Sequence, residues 1–219
     1  LHGHGGEWRV DKQRLRWDIL DAFAQAATEA GIPATDDFNR GTNEGVGYFE
    51  VNQKDGWRWN TAKAFLRPTC YGRPNFELWT SAQATRVLTE KQADGSLRCT
   101  GVQVWTGEEM VTAHAQQEVI LSAGAVNSPQ ILQLSGMGPA ALLRQHGIDV
   151  RLDLPGVGAN LQDHLQIRAV YKVQNVATLN TLANSLVGKA KIGLAYLLKR
   201  SGPMSMAPSQ LGAFTRSRP

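Results

Sequence analysis

The segment 117–138 constrains the fold more than any other part of this 219-residue chain. The run 117–122 becomes nearly all apolar toward its end, which is typical of a strand buried in a parallel sheet. Small residues follow at 123–125, and Ser128 and Pro129 then predict the start of a helix, with Ser128 as its cap. The segment therefore predicts a strand, a tight turn and a helix. The free amides and the helix dipole at such a junction suit an anionic ligand.

Hydrophobic periodicity predicts the other elements. Apolar residues spaced three and four positions apart indicate a helix over 16–27 that ends at Gly31. Alternating runs at 76–80, 84–90 and 100–105 predict an antiparallel meander. The further predicted elements are a turn at 93–96, a helix at 140–146, a strand at 167–173 and a helix at 182–198 with a basic flank.

The composition is that of a globular chain, with 42% hydrophobic and 19% charged residues. No run approaches the roughly 20 apolar residues that cross a bilayer. Cys70 and Cys99 lack the spacing of a metal or redox pair, which fits a reducing compartment, so we expect a cytoplasmic protein. No metal site is expected, because four histidines lack metal-ligand spacing: His2, His4, His114 and His146.

The net charge of +4 is unevenly distributed. No acidic residue follows Asp163, whereas these basic residues do: Arg168, Lys172, Lys189, Lys191, Lys199, Arg200, Arg216 and Arg218. A basic stretch of this kind suits nucleic acid or an anionic lipid surface. We favour the interpretation that acidic residues in a missing part of the protein balance it. We therefore expect no nucleic-acid partner, and peripheral contact with a membrane stays open.

Several short blocks follow one another along the chain. The block after the predicted strand reads Gly124-Ala125-x-x-Ser128-Pro129-x-Ile131-Leu132-x-x-Ser135-Gly136-Met137-Gly138. The other blocks are His2-Gly3-x-Gly5-Gly6, Gly45-Val46-Gly47-Tyr48, 52–58, Arg73-Pro74-Asn75-Phe76, 154–164, 199–203 and 212–217. In this order they resemble the glucose-methanol-choline (GMC) oxidoreductase family, in its alcohol and choline dehydrogenase-like branch. An ordered set of blocks is more specific than a single pattern.

The resemblance implies a mixed α/β fold: an incomplete FAD-binding Rossmann-like domain with an antiparallel β-meander, and part of a substrate domain. It places substrate-domain segments at 1–72 and 148–219, and an FAD-binding segment at 73–147. The Gly-x-Gly-x-x-Gly turn of such a domain is missing, because no Gly-x-Gly pair of this chain completes it. In the family that turn precedes the position of Leu1, and the catalytic histidine follows that of Pro219. We therefore expect an internal fragment that has no catalytic residue and is inactive alone.

The resemblance also implies which residues contact FAD. The strand residue at Ala84 would hold the adenine end through its backbone amide and carbonyl, and the turn at 122–124 would lie beside the dinucleotide. Asp163 is placed near the flavin, but it is not expected to form an acid-base pair with His164, because adjacent strand residues point to opposite faces. The cofactor-binding candidates are Ala84, Ser122, Ala123, Gly124, Asn127, Ser128 and Asp163.

For the complete protein, the resemblance implies FAD-dependent oxidation of a primary alcohol or choline-like substrate to an aldehyde. A histidine base would take the hydroxyl proton, and hydride would pass to the flavin N5. The electron acceptor, oxygen or a quinone-type carrier, stays open, as does the oligomeric state. Two alternatives remain: an FAD-containing enzyme of the hydroxynitrile lyase type, and a truncated or structural derivative without catalysis. The missing C-terminal residues would distinguish the lyase from the oxidoreductase.

Overall fold

The structure is a computed structural model that describes residues 2–217. The chain forms two compact units. The central unit comprises Leu78–Ala169, and the split unit combines Leu1–Glu77 with Val170–Pro219. Both units contain helices and small sheets, most of which are antiparallel, so the predicted mixed α/β class is confirmed.

The helices and strands have the following bounds. The first part of the chain contains β1 (Asp11–Lys12), α1 (Asp18–Glu29), β2 (Gly45–Tyr48), β3 (Glu50–Val51), β4 (Gln53–Lys54), β5 (Trp57–Arg58), a π-helical turn (Ala62–Leu66) and α2 (Arg67–Thr69). The central unit contains β6 (Gln83–Lys91), β7 (Leu97–Trp105), β8 (Met110–His114), α3 (Gly124–Leu134), β9 (Met137–Gly138), α4 (Ala140–Gln145) and β10 (Leu152–Asp153). The last part contains α5 (Leu179–Ala183), α6 (Leu186–Lys199), a 3₁₀ turn (Pro203–Ser205) and β11 (Leu211–Phe214).

The meander of the central unit is antiparallel, with the strand order β6-β7-β8. The predicted turn at 93–96 joins the first two strands, and β8 follows a turn at Gly107, where φ is +100°. The strand predicted at 76–80 is wrong, because this stretch lies outside the strands of the described residues. Its alternating side chains are compatible with a strand, but a strand also needs a neighbouring backbone, and β8 takes the third place in the sheet.

The run 117–122 also lies outside the strands that the structure describes, so the buried parallel strand predicted there is wrong. Ile120 is 76% exposed, whereas Leu121 packs against the core of the unit. A parallel strand requires neighbours along its edges, because it otherwise leaves its backbone donors and acceptors unpaired. Hydrophobicity alone therefore did not make this run a strand.

The predicted helix after this run is present as α3, but its first residue is Gly124, capped by Ala123, and not Pro129, capped by Ser128. Gly124 has a φ of +89°, a conformation that glycine adopts at no steric cost. The Ser128 hydroxyl lies inside the helix and accepts a hydrogen bond from the Ala123 amide at 3.0 Å. Pro129 lies inside the helix as well. A Ser-Pro pair often marks the first residues of a helix, which is why the sequence predicted a cap at Ser128. In the structure the Ser128 hydroxyl instead accepts from the amide of Ala123, the residue before the helix.

The packing of α3 on β6 forms the core of the central unit. The buried members of this core are Val87 from β6, Ile131 from α3 and Met137 from β9. Ser135 is 2% exposed and links the two elements. Its hydroxyl accepts from the Val87 amide at 2.9 Å and donates to the Ile131 carbonyl. The core therefore combines apolar packing with a buried hydroxyl that has both of its hydrogen bonds.

The helix predicted at 140–146 is confirmed as α4, and the Asp153 carboxylate accepts from the Ala140 amide at its start. The strand predicted at 167–173 is wrong, because residues 163–174 contain neither helix nor strand. Its apolar side chains are exposed, with Ile167 at 90% and Val170 at 92%. The pattern was that of a strand, but no sheet in the described chain extends to it.

In the split unit, α1 confirms the helix predicted at 16–27 and packs on the antiparallel pair β2-β11. Asp21 in α1 accepts hydrogen bonds from the Tyr48 hydroxyl at 3.0 Å and from the Arg16 guanidinium at 2.7 Å. The bond from Arg16 holds the pKa of the Asp21 carboxyl below its ordinary value, and burial raises the pKa of Tyr48. These bonds tie the first turn of α1 to the sheet.

The helix predicted at 182–198 is confirmed in α6, but Leu182 belongs to the separate helix α5. The two helices are distinct because the Ser185 hydroxyl caps α6, accepting from the Gly188 amide at 3.0 Å. The helix ends at Lys199, and its C-cap Arg200 has a φ of +51°. Among residues 2–217, no helix combines the length and the apolar character needed to cross a bilayer.

Replacing Ser135 with alanine is expected to destabilise the protein by about 1–3 kcal/mol, because the buried Val87 amide loses its acceptor. Urea denaturation measures this change. Ser209→Ala is the control, since Ser209 is exposed. Equal free energies of unfolding for the two variants would show that the hydroxyl does not hold β6 and α3 together.

Candidate functional site

The start of α3 presents exposed backbone. Residues 122–127 are exposed, and a Cβ placed on Gly124 would meet open space. The N-cap residue of α3 is Ala123, whose side chain makes no capping hydrogen bond. The first turn of the helix carries no acidic residue. The first amides of an α-helix have no partner within the helix, and the dipole is positive at this end. The junction therefore fits an anionic group in charge, hydrogen bonding and access.

Ala84 lies on β6, which pairs with β7 on one side only. The register passes directly from Ala84 to Arg86, so Thr85 is the extra residue of a β-bulge. The Val87 amide points away from β7, toward Ser135. Without a bulge, Ala84, three residues before Val87, would direct its amide and carbonyl toward β7. The extra residue Thr85 reverses this alternation, so the Ala84 amide and carbonyl also point away from β7. A backbone contact at this position would not depend on the side chain of residue 84.

The structure brings Ala84 and the start of α3 onto one core. Ala84 and Leu121 both pack, half-buried, against the cluster of Val87, Ile131 and Met137. Leu121 directly precedes the junction at 122–124. The strand residue and the junction, which lie about 40 positions apart in the chain, are therefore held by the same buried side chains.

The remaining candidates differ in their placement. Asn127 is exposed, and Ser128 is half-buried with its hydroxyl bonded to the Ala123 amide, so Ser128 fixes the junction from within. Asp163 is exposed, and its carboxylate accepts from the His164 amide at 2.8 Å. Within the described part of the chain, no hydrogen bond or ion pair joins Asp163 to residues 122–128.

The split unit contains a cavity of about 880 Å³ that no sequence pattern singled out. Gln53 and Trp59 line one side of it, and residues 204–209 line another. The Asp-Gly turn at 55–56, with positive φ at both residues, is a recognisable hairpin signal close to this wall. The opposite wall comes from the far end of the chain, which a local pattern does not reveal.

Near the start of the chain, His2 lies against two carboxylates that its sequence spacing did not indicate. Its Nε2 is 2.9 Å from Asp37 Oδ2 and 3.9 Å from Glu50 Oε2. Lys12 Nζ lies 3.2 Å from Glu50 Oε1, and an ammonium at this place opposes a metal ion. A hydrogen bond from the Asn39 amide holds the pKa of Asp37 below its ordinary value. The cluster therefore combines a hydrogen bond between His2 and Asp37 with an ion pair between Lys12 and Glu50, and its two carboxylates are half-buried.

Comparison with known proteins adds to this geometry. The family model described as GMC oxidoreductase matches residues 7–166. The chain is 40% identical over 219 residues to an alcohol dehydrogenase (acceptor) of Pseudomonas putida, covering 100% of the chain and 39% of that protein. It is 38% identical over 216 residues to an oxygen-dependent choline dehydrogenase of Brucella ovis, covering 99% of the chain and 38% of that protein.

A solved structure agrees with the fold. An FAD-dependent oxidoreductase from Chaetomium thermophilum superposes with a TM-score of 0.78 at 25% identity, covering 96% of the chain and 36% of that protein. The chain therefore spans less than two fifths of this structure, and about two fifths of the curated relatives it matches.

Proposed function

Because the chain belongs to the GMC oxidoreductase family, we propose that the whole protein binds FAD and oxidises a primary alcohol or a choline-like substrate to an aldehyde. The names of the two relatives, an alcohol dehydrogenase and a choline dehydrogenase, support this substrate class. FAD, when bound, supplies the acceptor for the hydride that leaves the alcohol carbon. The proposal assigns no catalytic residue to this chain and leaves the proton-accepting group to the rest of the protein.

One observation carries the cofactor assignment. The exposed amides at the start of α3 and the outward backbone of Ala84 lie on a single core, and no acidic side chain occupies the first turn. A dinucleotide needs two such features, because its linker is anionic and its adenine offers donors and acceptors to a backbone. The residues present therefore fit FAD.

In this proposal each candidate has its own task. The backbone at 122–124 and the first amides of α3 bind the negatively charged linker, and the Ala84 amide and carbonyl bind the adenine end. Ser128 holds the junction in shape through its bond to the Ala123 amide. Asn127 is accessible at the same helix end, whereas Asp163 has the weaker support of its family position alone.

For the domain organisation, we propose that 73–147 forms the FAD-binding segment and that 1–72 and 148–219 contribute to a substrate domain. The meander and α3 both fall within 73–147 and share a core, which supports a single cofactor-binding body. The exposed apolar runs at 117–122 and 165–173 would gain their sheet neighbours from the rest of the protein.

We further propose that the protein is cytoplasmic and that α6 touches an anionic membrane surface, which would bring a quinone-type carrier within reach. The helix turns by about 100° per residue, which places its exposed apolar side chains on one face. They are Leu186, Val187, Leu194, Leu197 and Leu198, each at least 56% exposed. Exposed lysines at 189, 191 and 199 accompany this face. A leucine face with basic neighbours is the chemistry of an interfacial helix.

The first test uses the flavin spectrum of the full-length protein. We expect bound flavin whose absorbance bleaches under anaerobic conditions when a primary alcohol is added, and a matched alkane is the control. Flavin that is present but stays oxidised with every alcohol would favour the lyase alternative. A protein that purifies without flavin and gains none from added FAD would favour the non-catalytic alternative.

A second prediction concerns the junction itself. Gly124→Ala in the full-length protein should weaken FAD binding about tenfold, because a Cβ strains a φ of +89° by roughly 1–2 kcal/mol and displaces the amides. Gly107→Ala is the matched control: Gly107 also has a positive φ and open space, but it lies in the β7-β8 turn. FAD titration measures both variants, and equal FAD affinities would remove the junction from the cofactor site.

A third prediction concerns α6. The full-length protein should sediment with vesicles that contain phosphatidylserine and much less with vesicles of phosphatidylcholine alone. Lys191→Glu should weaken this binding about tenfold, because it reverses one charge near the surface. Lys91→Glu makes the same charge change in β6 and should have little effect. Identical vesicle binding by the two variants would exclude α6 as the contact.

A further inference from the structure

A second, smaller pocket of the split unit is lined by the β4-β5 hairpin and by the helical segment that follows it. Its volume is about 490 Å³. The residues that line this basic pocket are Lys54, Asp55, Trp57, Trp59, Lys63 and Arg67. Lys54 and Trp57 are paired across the hairpin, Lys63 lies in the π-helical turn, and Arg67 begins α2. The whole lining therefore comes from the single stretch 54–67.

Two of the three cations are placed by indole rings of the same lining. Lys54 Nζ lies 5.0 Å from the ring centre of Trp59, and Lys63 Nζ lies 5.2 Å from that of Trp57. Trp59 is itself held in place, because its Nε1 donates to the Glu7 carbonyl at 2.8 Å. Ring faces attract cations. The two ammonium groups are therefore kept beside the pocket by its own walls.

The three cations keep donors for a ligand. The Lys63 ammonium donates to the Arg58 carbonyl at 2.9 Å, which uses one of its three hydrogens. Among residues 2–217, no ion pair involves Lys54, Lys63 or Arg67. A contact with a ring face attracts the charge of an ammonium without satisfying all of its hydrogens. An anion in the pocket could therefore accept from each of these side chains.

The charge of the lining fits a dianion. Asp55 is the single carboxylate among the six lining residues, and its Oδ1 lies 3.9 Å from Arg14, which is outside the lining. Three cations and one carboxylate give the lining a net charge of +2. The Arg200 guanidinium, 4.3 Å from the ring centre of Trp57, adds positive charge nearby. A phosphate monoester carries about −1.5 to −2 charges at pH 7, whereas a carboxylate carries one.

The shape of the donors also favours phosphate. A guanidinium such as that of Arg67 offers a planar fork that matches two phosphate oxygens, and a lysine ammonium binds phosphate as a point charge. Trp57 is 46% exposed, and its ring meets Tyr196 edge-on, with ring centres 6.3 Å apart. Exposed indole gains from contact with an apolar group. The ligand that suits the whole lining is therefore a phosphate with an apolar substituent.

We propose that the basic pocket binds a phosphate monoester, whose oxygens accept hydrogen bonds from Lys54, Lys63 and Arg67 while its apolar group packs against Trp57. The pocket belongs to the split unit, whereas the candidate cofactor residues Ala84 and 122–128 belong to the central unit. The bound phosphate is therefore not the linker of FAD but a second ligand of the protein.

Calorimetric titration of the flavin-loaded, full-length protein with phenyl phosphate at neutral pH tests this assignment. We expect saturable binding, and much weaker binding of phenylacetate, which has the same ring and one negative charge. Arg67→Gln and Lys54→Gln should each raise the Kd for phenyl phosphate about threefold to tenfold, the range between an exposed ion pair and a hydrogen bond to a charged group. Arg67→Lys keeps the charge and should lose less than Arg67→Gln.

Lys172→Gln is the matched control for Lys54→Gln. Both lysines are exposed and belong to the split unit, but Lys172 does not line the pocket. The control should leave the Kd unchanged. Equal effects of the two variants, or equal binding of phenylacetate and phenyl phosphate, would show that only the general charge of the protein attracts the anion and would overturn the proposal.

A variant of the opposite sign excludes a purely structural explanation. Asp55→Asn removes the carboxylate from the lining and should tighten phenyl phosphate binding about twofold to fivefold, as expected for an exposed charge. Asp55 has a φ of +52°, a conformation that asparagine also adopts readily, so the hairpin should keep its shape. Unchanged or weaker binding in this variant would contradict the charge argument.

Two sources of such a phosphate are distinguished with vesicles. Phosphatidic acid presents a phosphate monoester as a lipid headgroup, and phosphatidylcholine vesicles are the reference. A loss on Arg67→Gln confined to phenyl phosphate would assign a soluble ester, and a loss confined to phosphatidic acid vesicles would assign the headgroup. Lys191→Glu in α6 should not change phenyl phosphate binding. Binding of neither probe that depends on Arg67 would overturn the site.

Discussion

The packing of α3 against β6 is the contact on which the rest of the central unit depends. The apolar cluster supplies most of the attraction, since burying a large aliphatic side chain is worth roughly 1.5–3 kcal/mol. The Ser135 hydroxyl adds direction, because it satisfies the Val87 amide and the Ile131 carbonyl together. Because this contact fixes α3 against β6, the unpaired edge of β6 and the exposed start of α3 keep a constant relative position. The candidate cofactor site follows from a core contact and not from the loops around it.

Two apolar runs of the chain show how strongly strands depend on neighbours. The runs 117–122 and 165–173 have the composition of sheet strands, yet they remain without a ladder among the described residues. Hydrogen bonding between backbones, and not hydrophobicity, decides whether such a run becomes a strand. Large exposed side chains such as Leu165 and Tyr171 mark surfaces that favour contact with further parts of a protein.

Some cations of the split unit lie over aromatic rings and others pair with carboxylates. Lys54, Lys63 and Arg200 lie over rings, whereas Lys12 and Arg16 form ion pairs with Glu50 and Asp21. Of the three cations over rings, Arg200 alone follows Asp163, after which the sequence has no acidic residue. The lysines of α6 also follow Asp163, and they are exposed.

The sequence by itself determined the class of fold, the family, α1, the meander strands β6 and β7, α4 and the glycine junction, because these rest on local periodicity and on short blocks that a single segment contains. It placed the start of α3 five residues late, since only the folded backbone shows that the Ser128 hydroxyl reaches back to Ala123. It did not reveal the cavity of the split unit, whose lining residues come from distant parts of the chain. Tertiary structure decided these points because strand partners and cavity walls are relations between distant segments, and a local pattern carries no information about them.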